Sequence, residues 1–192
     1  MPKLFTSALT FFLSIFVTSI YADQAIFAMG CFWSAETVFR DHESNALTPG
    51  INSIQVGYAG GTNPEPTYEN HVGYKEAVKI DFDPKKISYE KLLSMFWHNI
   101  DPFDIRGQFC DYGPTYMTEI FYTNNRQKSA AEKEKVYLAK KFKKKVATEI
   151  NPATTFVAAE EEHQNYSYKN PALYKTYRWG CGRDRALEEI WK

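Results

Sequence analysis

The order of apolar and polar positions along the chain predicts alternating strands and helices. Ala25-Ile26-Phe27-Ala28-Met29 is a continuous apolar run with the length of a buried strand. Gly30 permits a sharp turn, and from Phe32 the residues Trp33-Ser34-Ala35-Glu36-Thr37-Val38-Phe39-Arg40 take helical spacing. Ile51 to Tyr58 reads as a second strand that ends in Ala59-Gly60-Gly61, and a long loop marked by Pro64 and Pro66 runs on to about His71. Lys75 to Phe82 alternates as a strand and is stopped by Asp83-Pro84. Ser88 is placed to cap a helix through His98, with Leu92, Met95 and Phe96 on its buried stripe. After an irregular stretch from Ile100 to Thr118, Glu119 to Tyr122 is a strand. A charged helix follows from Asn124 or Asn125 to about Lys145. Thr148 to Ala158 reads as one last strand, interrupted at Asn151-Pro152. Beyond it come a short helix over about 161–168, an aromatic-rich tail and a final helix from Arg183 to Trp191. Mixed elements without regular βαβ alternation predict an α+β, single-domain two-layer sandwich with a mixed sheet and a long irregular C-terminal segment.

Composition narrows what such a domain does. Of the 192 residues 44% are hydrophobic and 16% aromatic, enough for a sizeable core. Twenty-three basic residues balance twenty-three acidic ones, which argues against nucleic acid as a main partner. The run from Lys140 to Lys145 is read as a solvated helix face rather than an anion-binding patch. At the N-terminus, Lys3 precedes an apolar run from Leu4 to Ile20, and Tyr21-Ala22 leads into Asp23-Gln24. This pattern predicts a signal peptide over residues 1–22, cleaved after Ala22, and export to the periplasm or the medium; an uncleaved anchor over 4–20 is the alternative. Residues 23–192 are then the mature domain. The three cysteines, Cys31, Cys110 and Cys181, lie too far apart for a disulfide framework, so one pair plus one free thiol, or a pair that cycles, is expected. The four histidines lack ligand spacing and no Cys-x-x-Cys occurs, so no metal is expected.

Two positions carry candidate chemistry. Cys31 falls where the first strand gives way to a helix N-terminus, a position that lowers a thiol pKa and favours a nucleophilic thiolate. Glu76 shares the apolar face of its strand with Tyr74, Val78, Ile80 and Phe82. There its charged form is disfavoured and it can serve as a proton donor near neutral pH. The strand pattern alone also allows a solvated strand start or a buried arginine partner for Glu76. A third cluster, Phe109-Cys110-Asp111-Tyr112-Gly113-Pro114-Thr115-Tyr116, is a turn-rich loop with an acid, tyrosines and a thiol. Tyr68 lies in the other long loop.

In order along the chain, several blocks resemble the peptide methionine sulfoxide reductase family of the A type. They are Gly30-Cys31-Phe32-Trp33 with Glu36, Gly57-Tyr58-Ala59-Gly60-Gly61, Pro66-Thr67-Tyr68, Tyr74-Lys75-Glu76-Ala77-Val78, Phe109-Cys110-Asp111-Tyr112-Gly113 with Tyr116, and Glu162-His163-Gln164-Asn165-Tyr166. The resemblance implies a ferredoxin-like core and a monomer that reduces the S epimer of methionine sulfoxide, free or in proteins. It implies that Cys31 attacks the sulfoxide sulfur and Glu76 protonates its oxygen. Tyr68 and Tyr116 would hydrogen-bond that oxygen, Asp111 would shape the site, and Phe32, Trp33, His163 and Tyr166 would hold the substrate. Cys31 would become a sulfenic acid, resolved by a second thiol and recycled by a thioredoxin-like reductant, with no bound cofactor. The chain departs from many members at Thr115 and Met117, where they have Gln and Arg, and has no cysteine near Asn170-Pro171. Cys181, in the glycine-flanked Trp179-Gly180-Cys181-Gly182, is the first choice for the resolving thiol and Cys110 the second. A papain-like cysteine protease, using Cys31 and His163, and a non-enzymatic exported peptide-binding module are the rival readings.

Overall fold

The computed structural model describes residues 23–41 and 44–192, so the leader expected at 1–22 lies outside it. In chain order the elements are β1 (Asp23–Ala28), α1 (Phe32–Val38), β2 (Ile51–Ala59), β3 (Lys75–Phe82), α2 (Tyr89–Trp97), β4 (Gly107–Gln108), β5 (Asp111–Tyr112), β6 (Glu119–Tyr122), α3 (Asn125–Phe142), β7 (Glu149–Pro152), β8 (Phe156–Ala158), α4 (Tyr166–Lys169), α5 (Pro171–Cys181) and α6 (Arg183–Ile190). The caps follow the local chemistry. The Ser88 hydroxyl accepts from Lys91 N at 3.1 Å to start α2, and the Asn124 side chain accepts from Gln127 N at 3.0 Å to start α3.

The six-stranded sheet runs β7-β6-β1-β3-β2-β8. Its four inner strands are antiparallel and, with α1 and α2 as crossovers, form the βαββαβ ferredoxin-like core that was expected. The parallel β6–β7 pair makes the sheet mixed. Alternation decides what each face buries. Ala25, Phe27, Val78, Ile80 and Phe82 meet Leu92 and Phe96 of α2 and Leu138 of α3. Ile26, Ala28, Ala77 and Phe121 on the other face are covered by Phe156.

The last strand expected over 148–158 is two strands on opposite edges of this sheet. From Pro152 to Phe156 there are four chain steps, which reach at most about 14 Å, whereas six flat strands would span about 24 Å. The sheet must therefore curl until its edges approach, and Pro152 lies on an edge, where its missing N–H is not needed.

The C-terminal segment is helical rather than irregular. Pro171 occupies the first turn of α5, where a missing N–H costs nothing, and Gly182, in the left-handed region at φ +68°, joins α5 to α6. Tyr174, Tyr177 and Cys181 recur at helical spacing on the inner face, while Leu173 and Trp179 point outward. That mixture of buried and exposed aromatics hides the period in the sequence.

Gly30 is the position that the turn before α1 depends on. Its φ is +81°, and a Cβ there would lie 2.6 Å from Cβ of Gln108. Gly30→Ala is therefore expected to lose about 1–3 kcal/mol of stability, read as a lower urea midpoint with an unchanged slope.

Candidate active site

Cys31 is the N-cap of α1, with its carbonyl accepting from Ser34 N and Ala35 N, both at 3.1 Å. Its thiol is buried rather than activated at rest. Burial, followed by the nearby Glu76 carboxyl, pushes the thiol up to about 12, opposite to the direction expected from the helix terminus. The reason is local. α1 has only seven residues, and the first of its free N–H groups, that of Phe32, donates to Glu76 Oε2 at 2.9 Å. Glu36 and Arg40 pair with each other at 3.2 Å. Glu36 also accepts from Asn165 N at 3.2 Å and so anchors the start of α4 on α1.

Glu76 lies opposite Tyr58 in the β2–β3 ladder and is 1% exposed. Burial holds its carboxyl up at about 8, against the lowering effect of the Phe32 N–H and with a further rise from Asp111. No buried arginine is bonded to it and it is not solvated, so the two alternative readings fall away. At neutral pH both Glu76 and Cys31 are protonated.

Aromatic rings wall this pair. Phe32 is fully buried, and its ring stands 6.3 Å from Tyr68 and 5.4 Å from His163. Trp33 stacks on Tyr166 at 3.7 Å and donates from Nε1 to His163 Nδ1 at 3.2 Å. Burial lowers the His163 pKa and keeps the ring a neutral acceptor. Glu160 fixes the wall by accepting from Tyr58 Oη at 2.9 Å and from Tyr68 N at 2.8 Å.

The opposite side comes from the β4–β5 hairpin and the turn after it. Thr115 Oγ1 donates to Tyr74 O at 2.9 Å and Lys75 Nζ to Pro114 O at 2.8 Å, so the Thr115 departure is accommodated by direct bonds to the β3 start. The Tyr116 phenol, raised by burial and then by Glu76, Tyr68, Cys31 and Asp111, faces the same groups as Tyr68. Asp111 accepts from Tyr177 Oη at 2.6 Å, and the Tyr177 phenol lies against the Cys31 thiol. A thiol–phenol–carboxylate chain thus leads from Cys31 to Asp111, whose own carboxyl is raised by burial. Cys110 and Cys181 are joined as a disulfide, and Cys31 is free. With those sulfurs joined, the trio Cys110, Asp111 and Cys181 retains one carboxylate as a metal donor.

Every residue singled out from the sequence is brought to this one region. Tyr177 and Arg183 were missed. Arg183, 1% exposed, donates from Nη2 to Asn99 O at 2.7 Å and to Met29 O at 3.3 Å, bracing the turn beneath Cys31. Only the three- and four-residue spacing of Tyr174, Tyr177 and Cys181 hinted at an inward face.

A buried thiol, a carboxyl protonated at neutral pH, an aromatic pocket and a disulfide one helical turn from a pocket tyrosine define a thiol-dependent oxidoreductase. A family profile described as "Peptide methionine sulfoxide reductase" matches residues 23–192. A relative named peptide methionine sulfoxide reductase MsrA, from Bacillus licheniformis, is 44% identical over 175 residues, covering 88% of this chain and 93% of its own. The reduced form of Mxr1 from Saccharomyces cerevisiae superposes with a TM-score of 0.69 at 28% identity, over 79% of this chain and 87% of that one. Mxr1 in complex with Trx2 shares the fold at a TM-score of 0.52 and 23% identity, over 76% and 84%. The chain belongs to the peptide methionine sulfoxide reductase family.

The raised Glu76 pKa predicts a pH dependence of stability. The folded protein keeps this proton up to about pH 8, whereas the unfolded chain releases it near the ordinary carboxylate value of 4.5. Its contribution is complete below the unfolded value and is lost as pH rises through 8. Glu76→Gln is therefore expected to flatten the fall in thermal midpoint of the wild type between about pH 4.5 and pH 8, read by scanning calorimetry.

Proposed function

We propose that this protein reduces the S epimer of methionine sulfoxide, free or in proteins, through Cys31, with Glu76 as the acid. The observation that carries the reading is the Glu76 carboxyl, protonated at neutral pH and tied to the residue next to the nucleophile. Glu76 gives its proton to the sulfoxide oxygen, steadied by the Tyr68 and Tyr116 phenols. The developing positive charge on sulfur draws the Cys31 proton along Tyr177 toward Asp111. The thiolate attacks the sulfur, the oxygen passes to Cys31 as a sulfenic acid, and methionine leaves. Phe32 and Trp33 form the apolar seat of the substrate methyl group, backed by His163 and Tyr166.

Cys181 then attacks the Cys31 sulfenic acid, forming a disulfide and releasing water. This assignment is supported by its place one turn beyond Tyr177 on the same face of α5. Cys110 next attacks Cys181, which frees Cys31 and leaves the Cys110–Cys181 disulfide. A thioredoxin-like protein, the partner type in the yeast complex, reopens it. A protease reading would need His163 as the partner of Cys31, but its Nδ1 is engaged by Trp33. A passive binding module leaves the Glu76 carboxyl and the Tyr177 chain without a role.

With racemic methionine sulfoxide and dithiothreitol, the wild type is expected to consume the S epimer alone. Cys31→Ser should abolish this, and Glu76→Gln should lower the rate about 10²–10⁴-fold. Residual S-epimer reduction by Cys31→Ser at wild-type rate would overturn the mechanism.

Export is proposed on the Lys3 and Leu4–Ile20 pattern alone, with cleavage after Ala22. Amino-terminal sequencing of the protein from its native host is expected to begin at Asp23; a sequence beginning at Met1 in the membrane fraction supports the anchor instead.

A further inference from the structure

The two sulfurs of the Cys110–Cys181 disulfide are not equivalent. Cys110 sits in the two-residue turn Phe109-Cys110 that joins β4 to β5, and it is exposed to solvent. The turn is pinned by Phe109, in the left-handed region at φ +60°, whose ring lies 4.6 Å from the buried Arg183 guanidinium. Cys181, at the end of α5, is partly covered. The Cys110 backbone N–H points at Cys181 Sγ, 3.2 Å away. In thiol–disulfide exchange one sulfur is attacked and the other leaves as a thiolate, faster when that thiolate is stabilised. Access selects Cys110 as the sulfur attacked, and the N–H donor selects Cys181 as the sulfur that leaves.

The β4–β5 hairpin and its approach carry two large apolar side chains open to water, Ile105 at 73% and Tyr112 at 61% exposure. Tyr112 lies two residues beyond Cys110 at the end of β5, and the Arg106 guanidinium stands over its ring at 5.3 Å. This patch belongs to the same hairpin as the bond that the reductant must open.

We propose that the Ile105–Arg106–Tyr112 face of the β4–β5 hairpin is the docking surface of the thioredoxin-like reductant, which attacks Cys110. The proposal rests on the recycling step given under Proposed function. The reductant's thiolate bonds to Cys110 Sγ as the S–S bond breaks. Cys181 leaves with the electron pair beside the Cys110 N–H and then takes a proton. The reductant's second thiol attacks the mixed disulfide and releases Cys110, so that the reductant ends as an internal disulfide and both protein thiols are restored.

Two measurements test this. Oxidised full-length protein is mixed with a thioredoxin whose second active-site cysteine is replaced by serine, and the trapped complex is peptide-mapped. A mixed disulfide at Cys110 is expected, and one at Cys181 would overturn the polarity. The trap needs no sulfoxide, so its outcome is independent of the role of Cys31. For docking, Ile105→Glu and Tyr112→Ser are each expected to lower kcat/KM for thioredoxin about tenfold while turnover driven by dithiothreitol is unchanged. Unchanged thioredoxin kinetics in both variants, or an equal loss with dithiothreitol, would sink the docking surface.

Discussion

The hydrogen bond from Phe32 N to Glu76 Oε2 is the contact on which the site depends. It joins the centre of the sheet to the first turn of α1 and places an acid beside a nucleophile 45 residues away in the chain. Because it uses one carboxyl oxygen as an acceptor, the other is left to carry the proton. It also uses the N–H that could otherwise have stabilised a Cys31 thiolate. The bond keeps the acid in place, burial keeps the thiol neutral, and the pocket at rest holds two protonated groups.

That resting state suits a neutral, weakly basic substrate. A permanent thiolate would attract metals and oxidants and would hold the neighbouring carboxyl protonated still more firmly. In the proposed reaction the charge needed for attack arises only when a bound sulfoxide takes the Glu76 proton. Tyr177 and Asp111 offer the thiol proton a path away from the substrate. Since Tyr177 is on α5 with Cys181, the helix proposed to support the attack also carries the thiol proposed to resolve it. Arg183 ties the α6 end of this segment to the turn under Cys31, so the C-terminal helices brace the site instead of lying over it.

Much of this was legible in the chain. The strand Lys75–Phe82 alternates so regularly that its parity alone put Glu76 on the apolar face, and Gly30 marked the turn that presents Cys31. Ser88 and Asn124 announced their helices through cap chemistry. The split of residues 149–158 into two edge strands was not legible, because Asn151-Pro152 signals a break and says nothing of which edge follows. Nor was α5, whose face is defined by what it packs against: Tyr174 and Tyr177 turn inward while Trp179, in the same aromatic run, is exposed.

Local periodicity and turn chemistry, which are properties of neighbouring residues, determined the strands, the caps and the candidacy of Cys31 and Glu76, while the ferredoxin-like order came from the family resemblance. Protonation and pairing were decided by the tertiary structure alone. The Cys31 pKa follows from burial and then from the Glu76 carboxyl, which together outweigh the groups that favour the thiolate. The pairing of Cys110 with Cys181, across 71 residues, follows from the hairpin turn meeting the end of α5. Both depend on distances between distant segments, which no spacing within the chain encodes.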